Sequence, residues 1–181
     1  MGNEKLASLP ENIGKCQKLE KITLINCPAL KQLPETIYCC KKLKKLDLRS
    51  CTGLKCLPEN ANKYSSLEVL KISDSKIDMI PESIGKCLFL KRLSLTSCDN
   101  IEELPDSLSK CLQLEQIELA FCISLRKLPR AIGNCKELEV LKVESDEDLY
   151  PLPEIDECSK LSELRLGVSN AEEILKAKGK C

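Results

Sequence analysis

The stretch Leu43-Lys44-Lys45-Leu46-Asp47-Leu48-Arg49-Ser50-Cys51-Thr52-Gly53-Leu54 decides how this chain folds. Its apolar positions are Leu43, Leu46, Leu48, Cys51 and Leu54, with polar residues in most of the gaps. The Leu46-Asp47-Leu48 core alternates inward and outward, as a half-buried strand does. The wider flanking intervals fit neither a longer strand nor a helix. The same template returns along the whole sequence, so the stretch is a repeat unit. Its first leucine recurs at Leu19, Leu43, Leu67, Leu90, Leu114, Leu138 and Leu161, at intervals of 24 or 23 residues. A period of this size signals a solenoid, in which no unit buries its apolar face alone and stacking supplies the core.

The pattern L-x-x-L-x-L-x-x-C resembles the leucine-rich repeat signature. That resemblance implies an α/β leucine-rich repeat solenoid, or horseshoe, with a parallel concave sheet and short helical or 3-10 turns on the convex side. Seven strands about 4.8 Å apart would span roughly 30 Å. The returning half of each unit reads Leu-Pro-Glu-x-Ile-Gly-x-Cys, as in Ile80-Pro81-Glu82-Ser83-Ile84-Gly85-Lys86-Cys87, with Ile in the leading place. Proline at the start of a helical turn and glycine near its end follow the usual asymmetry. The cysteine after each strand is expected to turn the chain out of the sheet and to bond backbone groups left unpaired there. Two units depart from the pattern. Asn60-Ala61-Asn62-Lys63-Tyr64 lacks the Ile-Gly-x-Cys return, and the turn from Ser73 to Ile80 is one residue short, with Ser75 in the cysteine place.

The chain reads as a single domain over 1–181, with a partial unit at 1–18, about seven repeats from 19, and a C-terminal cap at 167–181. Register decays from Leu141, where Asp146 takes the cysteine place. Within the cap, Ser169 to Lys178 carries an N-capping Ser or Asn, acids in the first turn and Lys near the end, as a helix would. The opening in mid-unit is what a piece of a longer solenoid would show, since solenoid ends need covering.

Lys plus Arg and Asp plus Glu are equal at 28 each, which argues against a nucleic-acid-binding surface. No apolar run is long enough for a membrane span, and no secretory signal or Asn-x-Ser/Thr acceptor occurs. Ten of the thirteen cysteines follow the repeat register. Cys16, Cys40, Cys87, Cys111, Cys135 and Cys158 lie three residues before a first leucine; Cys27, Cys51, Cys98 and Cys122 lie eight after it. Cysteines so placed read as small hydrophobes in a reducing, cytoplasmic setting. With no His and no Cys-x-x-Cys, neither a common zinc site nor a histidine-based catalytic arrangement can be built, and no phosphate-binding glycine loop is present. Glu102-Glu103 and Glu172-Glu173 read as solvated faces. The expectation is a non-enzyme without a cofactor.

Function then falls to the outward positions of the concave strands, the usual binding surface of a solenoid. The candidate protein-binding residues are Lys45, Asp47 and Arg49, then Lys71 and Ser73, then Arg92, Ser94 and Thr96, and finally Gln116 and Glu118. Across the first four strands Lys21, Lys45, Arg49, Lys71 and Arg92 face the single acid Asp47, a balance that favours an acidic partner surface. Other domains of a longer chain are a second class of partner.

Units such as LKKLDLRSCTGLKCLPE from Leu43 and LEQIELAFCISLRKLPRAIGNC from Leu114 resemble the C-terminal repeats of plant nucleotide-binding (NB-ARC) disease-resistance receptors. The shared features are the cysteine after the strand, the Leu-Pro-x-x-Ile-Gly return and the final decay into Glu144-Ser145-Asp146-Glu147. The resemblance covers Leu9 to Leu166. Plant intracellular Ras-group repeat proteins and some bacterial repeat proteins share the same return. The cysteine three residues before the first leucine departs from the receptors, which often carry Leu there. The resemblance implies the recognition and autoinhibitory part of an intracellular immune receptor acting in defence, with its nucleotide switch upstream. A stand-alone intracellular adaptor or scaffold in signalling is the alternative. A redox-responsive protein using Cys39, Cys40 or Cys56 is a third.

Overall fold

The computed structural model describes residues 3–60, 66–144 and 153–167. The alternating Leu-x-Leu segments form β1 (Lys21–Ile25), β2 (Lys45–Arg49), β3 (Val69–Ser73), β4 (Arg92–Thr96), β5 (Gln116–Ala120), β6 (Val140–Glu144) and β7 (Glu163–Leu166). They lie in chain order in one parallel sheet. Leu46 stands opposite Leu70, and Leu70 opposite Leu93. Register therefore survives the shorter unit between Leu67 and Leu90, whose missing residue is absorbed in the turn between Ser75 and Ile80, before the return begins. Leu46, Leu48, Leu70, Ile72, Leu93 and Leu95 are each at most 2 % accessible. Burial of one such side chain is worth about 1.5–3 kcal/mol.

Among the described residues the convex side carries 3-10 turns at Glu11–Lys15, Glu35–Cys39, Glu82–Lys86, Asp106–Lys110 and Arg130–Asn134. Each follows a proline, whose fixed φ suits the start and which brings no N–H needing a partner. The glycine of the Ile-Gly pair has a different reason from the terminating role expected of it. A Cβ on Gly14 would lie 2.5 Å from the Thr36 carbonyl oxygen, one on Gly85 2.6 Å from that of Ser107, and one on Gly133 2.5 Å from that of Glu154. Glycine lets successive turns approach. Tyr38 takes that place in the second unit; its ring is buried and its hydroxyl donates to the Pro58 carbonyl at 3.3 Å. Burial pushes its ionisation above the ordinary tyrosine range.

The exit from the sheet is made one residue before the cysteine, not at it. Asn26, Ser50, Asp74, Ser97 and Phe121 are left-handed, with φ between 49 and 56°. Their N–H groups donate to the last strand carbonyl of the next unit, as Asp74 does to Thr96 at 2.9 Å. The cysteines then bond backbone as expected. The Cys51 thiol donates to the Arg49 carbonyl at 3.5 Å, Cys122 to Leu95 at 3.8 Å, and on the convex side Cys111 to Ile84 at 3.4 Å. Ser75 is buried, with its hydroxyl 3.7 Å from the Cys98 sulfur. Burial pushes Cys111 and Cys135 up to about 12, so both remain thiols able to donate. No described cysteine is in a disulfide.

The irregular segment at residues 61–65, Asp146 and the C-terminal helix read at Ser169 to Lys178 lie outside the described residues. Asn60 is described, and its N–H donates to Glu35 Oε2 at 3.1 Å.

Candidate functional site on the concave sheet

Because the strands are in register, outward residues form three ladders across the sheet. The first runs through Lys21, Lys45, Val69, Arg92 and Gln116. The middle one runs through Thr23, Asp47, Lys71, Ser94, Glu118, Lys142 and Arg165. The third runs through Ile25, Arg49, Ser73, Thr96 and Ala120. A depression of about 340 Å³ opens over β2 to β4, lined by Asp47, Arg49, Lys71, Ser73, Ser94 and Thr96, together with Ile72 and Asp74. Six of the ten predicted residues thus meet in one place. Lys45, Arg92, Gln116 and Glu118 are ladder neighbours of these residues and do not line it.

Asp47 differs from the outward, solvated residue that alternation predicts. It is 1 % accessible, although its side chain lies on the same face as Lys45 and Arg49. Arg49 grips it with both arms, Nε donating to Oδ1 and Nη2 to Oδ2 at 2.8 Å each, and Lys45 Nζ lies 3.3 Å from Oδ2. Two long cations fold over one short anion and cover it. The Arg49 hydrogen bonds, then those of Lys45, hold its carboxyl below the usual carboxylate range against the opposing effect of burial. Consequently Lys45 and Arg49 are already committed.

The far end of the sheet is likewise self-paired: Glu163 takes Lys142 at 2.9 Å and Arg165 at 3.3 Å. Between these clusters, Lys71 and Arg92 make no ion pair with a described carboxylate. Apart from Lys21 on the edge strand β1, which also makes no ion pair with a described carboxylate, the uncommitted positive charge therefore sits on β3 and β4, beside the hydroxyls of Ser73, Ser94 and Thr96. Glu118 follows on β5 with no described cation partner. Asp74, which the outward-position rule omits, adds an exposed acid at the strand-end rim. Its place directly after β3, one residue before the cysteine position, was the available signal.

These side chains offer hydrogen-bond donors, acceptors and two fixed cations on a shallow open surface. Among the described residues no group of His, Cys, Asp or Glu could hold a metal ion, and no helix is long and apolar enough to cross a membrane.

The profile of the family described as leucine-rich repeat region matches residues 39–178. The chain belongs to the leucine-rich repeat family. No curated protein matches it. Among solved structures it is similar to the leucine-rich repeat domain of the type III effector XopL, at 26 % identity and a TM-score of 0.55, covering 75 % of this chain and 56 % of that one. It is also similar to the plant peptide hormone receptor RGFR1 in complex with RGF2, at 20 % identity and a TM-score of 0.63, over 89 % of this chain and 30 % of the receptor. A Leptospira interrogans leucine-rich repeat protein, LIC12759, matches at 22 % identity and a TM-score of 0.50, over 92 % of this chain and 53 % of that one. The chain spans about half the length of the first of these relatives and under a third of the second. At these identities the second and third show the shared fold alone. Leucine-rich repeat domains generally bind proteins.

Proposed function

We propose that this leucine-rich repeat domain is a non-catalytic recognition module that binds an acidic protein segment across β2 to β5. The observation that carries this reading is the pair Lys71 and Arg92, the concave cations left uncommitted between the self-neutralised clusters at Asp47 and Glu163. An Asp or Glu of the ligand would engage that pair. Ser73, Ser94 and Thr96 would meet its backbone, and Glu118 would select a basic residue further along. The strand cysteines and the Leu-Pro-x-x-Ile-Gly returns support a narrower reading, in which the domain is the recognition and autoinhibitory part of a cytoplasmic plant immune receptor. A stand-alone signalling adaptor fits the same surface. RGFR1 with its bound RGF2 illustrates the same fold in a receptor complex.

The test is selection of a displayed random peptide library on the purified domain. The reading predicts enrichment of Asp and Glu in the selected peptides and loss of binding by K71E/R92E, with K110E on a convex turn unaffected. Neutral or basic winners, or full binding by K71E/R92E, would sink it.

A further inference from the structure

Net charge is zero, yet exposed lysines with no described ion-pair partner gather along one flank of the solenoid. Each convex 3-10 turn reaches the next strand through a tight turn closed by a backbone bond from the leading leucine to the cysteine, as in Leu43 N–H to Cys40 carbonyl at 2.9 Å and Leu90 N–H to Cys87 carbonyl at 3.0 Å. The tips of these turns are Gln17-Lys18, Lys41-Lys42, Leu88-Phe89, Leu112-Gln113 and Lys136-Glu137. In-register strands place them along one flank. Leu88, Phe89 and Leu112 are 51, 50 and 60 % exposed there. Around them Lys18, Lys41, Lys42, Lys86, Arg92 and Lys110 are all exposed and make no ion pair with a described residue. Of the acids near this flank, Glu68 is taken by Lys44 and Glu115 by Lys91, at 3.1 Å each, Glu137 by Lys160 and Glu157 by Lys136; Glu20 and Glu139 are exposed. The opposite flank carries both signs: Asp78, Asp99, Glu102 and Glu103 surround an open depression of about 610 Å³, but Lys127 pairs with Glu103 at 3.0 Å and Lys31, Lys55, Lys76 and Arg126 are exposed on the same loops.

Tight turns ordinarily carry polar residues at their tips. Here three large apolar side chains project from turn tips, and none of them lines a described cavity. Protruding apolar tips set in a basic, level flank match an anionic lipid surface, which is planar, deformable and needs no preformed groove. We propose that this flank docks the domain on an anionic bilayer. Leu88, Phe89 and Leu112 enter the interface, and the surrounding lysines contact headgroup phosphates and carboxylates. The opposite flank, of mixed charge, faces away, so the solenoid lies with the concave face sideways and accessible. The inference is independent of what the concave face binds.

The chain has no tryptophan, so F89W provides a single fluorescent reporter. Vesicles of phosphatidylcholine with and without phosphatidylserine are the probe, read by co-sedimentation and by the F89W emission maximum. The expected result is partition onto the phosphatidylserine vesicles alone, a blue shift of F89W, and loss of binding as salt rises. K41E/K42E lowers partition by roughly tenfold or more, as expected when two cations near the surface are reversed. L88S/L112S lowers it similarly, and K71E leaves it unchanged. Unaltered circular dichroism in these exposed-tip variants excludes misfolding as the cause. Absence of partition at low salt would overturn the proposal, as would retention by both double variants. Capture of soluble polyglutamate without vesicle binding would also overturn it and assign the flank to an acidic protein.

Discussion

Replacing Asp47 with Asn separates fold from recognition, because the two effects have opposite signs. Asn keeps the shape and one acceptor oxygen but loses the charge that draws Arg49 from one side and Lys45 from the other. Hydrogen bonds to a charged group contribute roughly 1.5–3 kcal/mol. Solvent reaches both cations here, with side-chain exposures of 51 % for Arg49 and 30 % for Lys45. The expected net loss from removing the Asp47 charge is therefore about 1–2 kcal/mol. In a chain of this size that lowers Tm by roughly 2–8 °C. The pH dependence has a definite sign. The folded carboxyl titrates below its unfolded value, so its contribution is complete above the unfolded value, about pH 4, and disappears as pH falls through the lower folded value. Urea melts of wild type and D47N should thus differ by a constant amount from about pH 7 down to pH 4 and converge below it. Meanwhile Lys45 and Arg49 are released toward the ligand, and affinity for an acidic peptide should rise several-fold. Equal stability of the two proteins across this range would refute the clamp. Parallel loss of stability and affinity would make Asp47 a ligand contact instead.

Other outcomes follow from the packing. Gly85→Ala drives a methyl to 2.6 Å from the Ser107 carbonyl oxygen; it should cost about 1–3 kcal/mol in chemical denaturation, as overpacking does. Leu93→Ala empties a core site at the centre of the sheet and should cost roughly 2–5 kcal/mol by the same measurement. A thiol reagent applied to the native protein should label Cys16, Cys39 and Cys56 readily, leaving the buried cysteines unreacted until denaturant is added. Rapid native labelling of Cys98 or Cys111 would contradict their packing role.

Much of this fold is legible from side-chain alternation alone. Leu46 and Leu48 announce β2, and copying the unit along the chain places all seven strands, with only β7 ending early at Leu166. The outward ladders follow from the same alternation, which is why six predicted residues share one depression. What stayed hidden depends on contacts between units. Gly14 and Gly85 look like turn terminators in sequence, but the carbonyls of Thr36 and Ser107 in the following units require them. The left-handed residue before each cysteine varies as Asn, Ser, Asp, Ser and Phe, so no residue type marks it. Alternation also predicts where the Asp47 side chain points but not that its two neighbours close over it. The tips at Leu88, Phe89 and Leu112 fall among apolar residues in sequence, and only the turn geometry reveals them as exposed.

The most direct measurement is photocrosslinking of a selected acidic peptide to single benzoylphenylalanine substitutions. Val69, beside Lys45 and Arg92, and Ala120, beside Thr96, are half-buried concave positions that flank the cation pair without lining the depression. Asn12, on a convex turn, is the comparison site. Recognition across β2 to β5 predicts crosslinks from positions 69 and 120 and none from 12. Crosslinking from position 12 with silence at the two concave positions would contradict it and move the binding surface to the convex side.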